Sequence, residues 1–198
     1  VTTVVAKKTM KRAPAKQATR RAPVKKAVRT APAARAANGA DLQREVEALL
    51  YRQSEALDSK DWKGFIDLFT SDGMYWMPPA PDYATWDGVP SIFAEDRDMM
   101  TVRMKRVTHP HAWSQQPEWG TNHVVSNVIV EKVDPKSGDV HVRSRFHMVE
   151  LRRDELRHFA GAYRHHLKRT KDGLKIKLQR VDMVNAQAPY EYVLQVWV

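Results

Sequence analysis

Apolar residues change their period once along this chain, and the change separates a helical half from a stranded half. From Asp41 to about Asp58, Leu42, Val46, Leu49, Leu50 and Leu57 recur at helical spacing, while Arg44, Glu45, Glu47 and Arg52 fill the opposite face. The spacing predicts an amphipathic helix lying on a core, with Asp41 placed to cap it. A short second helix is expected over 61–69, with Trp62, Phe65, Ile66 and Phe69 on one side. Ser71-Asp72-Gly73 reads as a turn, and Met74 to Met77 as a short strand stopped by Pro78-Pro79. Residues 78–89 hold three prolines and a glycine and read as a loop. A third helix is expected from Pro90 to about Arg106, followed by an irregular segment over 107–120 punctuated by Pro110, Pro117 and Gly120.

From Thr121 the period is two. Val124 to Val133 reads as a strand, and the segment from Asp134 to Asp139 as a hairpin loop. Val140, Val142, Phe146 and Met148 then alternate with His141, Arg143, Arg145 and His147, giving one buried face and one polar face. Arg153-Asp154-Glu155 turns the chain into a long strand from Leu156 to Thr170. Lys171-Asp172-Gly173 is a hairpin signal, and Leu174, Ile176 and Leu178 open the next strand. The last stretch, Tyr190 to Val198, is apolar and needs cover from its own core or from a partner. Helices followed by a meander of strands indicate an α+β fold, with helices packed on one face of a curved, mostly antiparallel sheet. Such a sheet can close into a cone and leave a pocket between sheet and helices.

Charge changes the domain picture. Of 198 residues, 33 are Lys or Arg and 23 are Asp or Glu, and 42% are hydrophobic, enough to fill a core. Eleven of the basic residues and none of the acidic ones fall within residues 1–40, so the remaining 158 residues carry 22 basic against 23 acidic. The net charge of +10 is a property of that stretch. It is built of Ala, Lys, Arg, Thr and Pro, and is read as a disordered tail ahead of a folded domain over 41–198. A plain solvated extension, a non-specific polyanion tether and a targeting peptide are its open alternatives.

Other features exclude whole classes. No apolar run approaches eighteen residues, so no membrane-spanning helix is expected. The chain has no cysteine, which removes disulfides, a thiol nucleophile and any Cys-ligated centre, and fits a reducing cytoplasm. No Gly-rich phosphate loop appears. His165 and His166 are adjacent on a strand and point to opposite faces, so they do not chelate one ion together. An acid–base site in the pocket would draw on Asp72, Tyr75, His123, His147 and Asp182, with Tyr75, His123 and Asp182 as the bases of a stand-alone isomerase or dehydratase. The plainer alternative is that Tyr75 packs while His147 and Asp182 make interface or surface hydrogen bonds. Trp86, Trp113 and Trp119 fall in Pro/Gly-containing segments, where large rings are either tucked under or offered to a partner. With Arg143, Arg145, Tyr190 and Trp197 they are the candidate interface residues, and Arg152 and Arg153 join Arg143 and Arg145 as candidates for ion pairs across an interface. A solvated strand face is the alternative for these arginines.

Several segments, in order, resemble one family. They are Glu55-Ala-Leu-Asp-Ser-Lys-Asp-Trp-Lys-Gly-Phe-Ile-Asp-Leu-Phe, Ser71-Asp-Gly-Met-Tyr-Trp-Met-Pro and Thr121-Asn-His-Val-Val-Ser-Asn-Val-Ile-Val, with its His-x-x-Ser-Asn core. Phe159-Ala-Gly-Ala-Tyr-Arg-His-His-Leu, Asp172-Gly-Leu-Lys-Ile and Arg180-Val-Asp-Met-Val-Asn complete the set. Together they resemble the small (β) subunit of aromatic-ring-hydroxylating dioxygenases across residues 42–198, with Tyr75-Trp76-Met77-Pro78 nearest the benzoate-like branch. The resemblance implies the cone-shaped fold shared with nuclear transport factor 2 and scytalone dehydratase. It implies a non-catalytic chain, without catalytic, cofactor or metal residues of its own, in a bacterial cytoplasmic α3β3 complex in which β subunits form a trimer. It places the Rieske [2Fe-2S] cluster and the mononuclear Fe(II) in the α subunit, supplied by NAD(P)H through a reductase and sometimes a ferredoxin. The product of the complex would be a cis-dihydrodiol in aromatic catabolism. Residues 1–40 have no counterpart in that resemblance.

Overall fold

The computed structural model describes residues 39–115, 119–188, 194 and 197–198. The tail up to residue 38 and Tyr190 lie outside the described residues. Two helices come first, α1 (Gly39–Asp58) and α2 (Trp62–Asp67), then strands β1 (Phe69–Met77) and β2 (Phe93–Asp96), then α3 (Arg97–Val107). A 3-10 turn over Trp113–Gln115 leads into β3 (Trp119–Val133), β4 (Val140–Arg152), β5 (Glu155–Thr170) and β6 (Gly173–Met183). The six strands form one sheet in the order β2-β1-β6-β5-β4-β3. The meander β3-β4-β5-β6 is antiparallel throughout, as its alternating pattern requires. The parallel pairing of β1 with β6 makes the sheet mixed.

Three local readings are corrected. Ser71-Asp72-Gly73 is not a turn but the middle of β1, at a register shift between Phe69 and Met74. A side chain at Gly73 would strike the Ile176 carbonyl, with 2.9 Å left for a Cβ, so the strand passes its neighbour there only as glycine. The helix expected from Pro90 starts only at Arg97. Phe93 to Asp96 alternates buried and exposed and pairs with β1 as an edge strand. Asp96 then accepts the Met99 N–H at 2.9 Å and starts α3. Finally, the segment 107–120 is not irregular at its ends: Val107 closes α3 and Trp119 opens β3.

The core lies between α1, α2 and the inner face of the sheet. Val46, Leu49, Leu50 and Leu57 of α1 meet Val140, Val142, Phe146 and Met148 of β4, the alternating residues expected to face inward. Phe65 of α2 stacks near Phe69, Tyr75 and Trp197, with ring centroids 5.3, 6.4 and 4.9 Å away. Burial of each such side chain stabilises the fold by about 1.5–3 kcal/mol. Trp197 and Val198 are buried, so for these two residues the apolar end is covered by its own core.

Among the described residues, the outer face is covered over β1 and β6. Trp76 points outward from β1 yet is 1% exposed, because the loop after β1 folds over it. Arg180 of β6 holds that loop: its guanidinium lies 4.5 Å from the Trp76 ring centroid and donates to the carbonyls of Tyr83 and Pro81. Over β3, β4 and β5 the outer face is open, with Val124, Leu151 and Leu156 each at least half exposed.

Candidate functional site

The acid–base residues singled out in the sequence do not converge. Tyr75 is fully buried, and its hydroxyl donates to the Val198 carbonyl and accepts the Val198 N–H, both at 3.1 Å. Burial pushes the Tyr75 phenol well above its ordinary value, so it is not poised to give up a proton. Asp182 lies on the opposite face of the sheet, since its neighbours Val181 and Met183 fill the core. There it is bonded by Arg180 at 2.7 Å and faces Arg164 at 3.4 Å. Asp72 is exposed and paired with Lys177, which holds its carboxyl down at about 2. His147 is also on the outer face, stacked on His158 with ring nitrogens 3.3 Å apart.

His123 is the named base that is hydrogen-bonded to a carboxylate on the inner side of the sheet, and the partner is Asp58. The Asp58 Oδ1 is 2.6 Å from His123 Nδ1 and 2.9 Å from the Thr121 hydroxyl, while Oδ2 accepts the His123 N–H at 2.8 Å. Burial raises the Asp58 pKa, but the hydrogen bonds and charge of His123 outweigh it, and the net shift is downward. The carboxylate of Asp58 holds the Nδ1 proton of the ring, and Nε2 points away from it. That Nε2 is buried and meets no hydrogen-bond partner among the described residues. Asp58 was visible only as the end of a helix. A carboxylate in the last turn opposes the helix dipole, and this misplacement is the signal that it serves something outside the helix.

The interface candidates divide into spent and exposed. Trp119 is 7% exposed and stacks on Trp62 at 6.0 Å, with Lys60 donating to its carbonyl and lying over its ring. It therefore sits in a strand and in the core, not in a loop. Trp197 is 1% exposed and donates from Nε1 to Glu95 at 3.0 Å. Trp86 keeps one edge on Trp76 and is 37% exposed. Trp113 is 72% exposed at the rim of a shallow groove of about 560 Å³, lined also by Lys105, His109, His111 and Ser114. On the open sheet face Arg143 pairs with Glu131 at 3.0 Å, and Arg145 is exposed beside it. Arg152 bonds the Ser114 carbonyl, and Arg153 takes a positive φ of 55° in the β4–β5 turn.

The donor set of this chain does not suit a Rieske cluster, which needs two cysteines beside its histidines. Among the described residues no three of His, Asp and Glu gather as metal ligands, and no helix is long and apolar enough to cross a membrane.

Comparison with known proteins agrees with this architecture. The family described as "Ring hydroxylating beta subunit" matches residues 52–189. The β subunit of biphenyl 2,3-dioxygenase from Rhodococcus jostii (strain RHA1) is 30% identical over 145 residues, spanning 65% of this chain and 73% of that one. The crystal structure of the β subunit of benzoate 1,2-dioxygenase from Burkholderia mallei superposes with a TM-score of 0.61 at 26% identity, covering 75% of this chain and 95% of that one. A Novosphingobium aromaticivorans protein assigned as a scytalone dehydratase shares the fold at a TM-score of 0.53 and 18% identity, covering 72% and 84%. With two-thirds of its length matched in order by that family, its curved mixed sheet and its helix pair, this chain belongs to the β subunits of aromatic-ring-hydroxylating dioxygenases.

Proposed function

We propose that this β subunit is the non-catalytic, shape-giving member of its dioxygenase. The observation that carries the reading is the separation of its acid–base residues: Tyr75 is tied to Val198, His123 to Asp58, and Asp182 stands on the other face of the sheet. Beside these separated residues, two surfaces stand open among the described residues. One is the outer face of β3 to β5, with Val124, Leu151, Leu156 and Arg145; the other is the cationic groove edged by Trp113. Apolar side chains rimmed by arginine, and an exposed tryptophan, are what a protein partner engages.

The partner in this reading is an α subunit that holds the Rieske [2Fe-2S] cluster and the mononuclear Fe(II), in an α3β3 assembly with further β subunits as a trimer. Electrons from NAD(P)H arrive by a reductase, with or without a ferredoxin. The role of this chain is geometric: electron transfer between neighbouring α subunits depends on their register, and a rigid wedge between them maintains it. A benzoate-like aromatic acid is the substrate class supported by the Tyr75 to Pro78 segment and by the benzoate 1,2-dioxygenase likeness. The subunit domain is residues 41–198, with the basic stretch 1–40 as an appended tail, in a bacterial cytoplasm.

The rival is a stand-alone isomerase or dehydratase in the cone. It has the Asp58–His123 pair in its favour and lacks the convergence of Tyr75 and Asp182 that proton transfer needs. Co-expression with a ring-hydroxylating α subunit separates the two. The expected result is an iron-containing complex of equal stoichiometry and no turnover by the isolated chain. Turnover by the isolated chain overturns the reading.

A further inference from the structure

The inner face of the sheet carries a row of polar side chains in register across four strands. His165 of β5 faces Gln179 of β6, Gln179 faces Tyr75 of β1, and Tyr75 faces Glu95 of β2. Ser144 of β4 is one diagonal step from His165, because Val142 faces His165 and Ser144 faces Tyr163. Gln53 reaches the row from α1, its Oε1 3.2 Å from His165 Nε2. Relative exposure is 0% for Ser144 and Gln179, 1% for Gln53 and 2% for His165.

The two ends of the row are satisfied. Tyr75 holds the Val198 main chain, and Glu95 accepts from Arg103 and Trp197. The middle is not. Both polar atoms of the Gln179 amide, the Ser144 hydroxyl and His165 Nδ1 are buried and have no hydrogen-bond partner among the described residues. Each such atom forfeits the hydrogen bonds it made with water in the unfolded chain. Native proteins do not leave four of them side by side; a bound group takes up the bonds.

The chemistry of that group follows from the donors and acceptors. With Gln53 Oε1 accepting from Nε2–H, the neutral His165 ring presents a lone pair at Nδ1, and burial keeps it neutral. Gln179 offers two N–H donors and a carbonyl oxygen, and Ser144 one donor and an acceptor. None of the three is charged, so the occupant is neutral. It must accept from one neighbour and donate to another in a space flanked by backbone-registered strands. Water does both, and three bonds to His165, Gln179 and Ser144 match what buried waters make. We propose that ordered water is bound inside the core between His165, Gln179 and Ser144, and that this hydration site, through the His165–Gln53 bond, ties α1 to the sheet. The site stands independently of which partner the chain takes.

A double-variant cycle on the full chain tests it. Gln179→Met and Ser144→Ala remove two partners of the same water from strands that are not neighbours in the sheet. Each single change is expected to lower the melting temperature by about 3–6 °C. The double variant is expected to fall by little more than the worse single, because the water is lost once. Strictly additive losses, or singles that melt higher than the parent because a dry polar group has been removed, overturn the proposal. A crystal structure of the parent at water-revealing resolution gives a readout independent of stability. A density peak of water size within hydrogen-bond reach of His165 Nδ1 and the Gln179 amide is expected. An empty gap, or density too large for water, overturns it.

Discussion

Asp58 and His123 are joined twice, side chain to side chain at 2.6 Å and carboxylate to backbone N–H at 2.8 Å, so the end of α1 is pinned to the start of β3. The double grip fixes both the position of the strand and the orientation of the ring. Asp58→Ala leaves the His123 N–H, the ring Nδ1–H and the Thr121 hydroxyl without their acceptor, and is expected to cost about 1–3 kcal/mol in urea unfolding at neutral pH. Asp58→Asn keeps an acceptor oxygen and is expected to cost less. The pH sign follows from the lowered pKa: the carboxylate lends its full support above the ordinary value of 3.8 and loses it as pH falls through the lower folded value. A variant as stable as the parent at neutral pH would show that the grip contributes nothing.

His165 gives a second pH dependence at milder acidity. Burial pushes its pKa from 6.5 down to about 3. The unfolded chain therefore takes up a proton below about pH 6.5 that the folded chain refuses. Stability from this group is whole above the unfolded value and declines as pH falls from there toward the folded one, at up to about 1.4 kcal/mol per pH unit. Between pH 6.5 and 5 the loss is about 1.5–2 kcal/mol. Urea unfolding of the parent and of His165→Phe at the two values isolates it: the variant is expected to be flatter by that amount. Equal slopes would place the ring in contact with solvent.

Gly161 is expected to tolerate nothing larger. A Cβ there would lie 2.2 Å from the Asp182 carbonyl oxygen and 2.8 Å from the Phe146 ring. The carbonyl belongs to the neighbouring strand, and Phe146 is itself stacked on Tyr163 at 4.3 Å, so neither neighbour yields readily. Gly161→Ala is expected to destabilise by about 1–3 kcal/mol through overpacking, read as a lower urea midpoint with an unchanged slope. An unchanged midpoint would mean that the strands slide apart at no cost.

How much of this was legible depended on the range of each interaction. The alternation from Val140 to Met148 is written residue by residue, and β4 follows it. The four residues of β2 carry the same alternation, but they are too few to outweigh the helical residues after Asp96. Nothing local could announce that β1 pairs parallel with β6, since that contact joins Tyr75 to Gln179 across the whole body of the chain. For the same reason His123 was visible as a base and Asp58 was not visible as its partner. Trp119 was misplaced because the glycine and proline around it suggested a loop, whereas Lys60 and Trp62 draw it into the core.

Trp113 and Trp197 were equivalent candidates in the sequence, and the structure gives them opposite roles. Trp197 packs against Phe65 and Trp62, at 4.9 and 6.0 Å, and satisfies its ring N–H on Glu95. Its removal opens a cavity and leaves a buried carboxylate oxygen without that donor, so Trp197→Ala is expected to cost about 3–5 kcal/mol of fold stability. Trp113 is 72% exposed on its 3-10 turn, so Trp113→Ala is expected to change stability by less than about 0.5 kcal/mol. If the groove beside it receives the α subunit, the same change is expected to weaken assembly by about 2 kcal/mol or more, roughly thirtyfold in affinity. Sedimentation of the mixed subunits and thermal melting of the isolated chain measure the two effects separately. Full-strength assembly by Trp113→Ala would remove the groove from the interface and leave the open face of β3 to β5, tested by Leu156→Asp, as the surface that meets the partner.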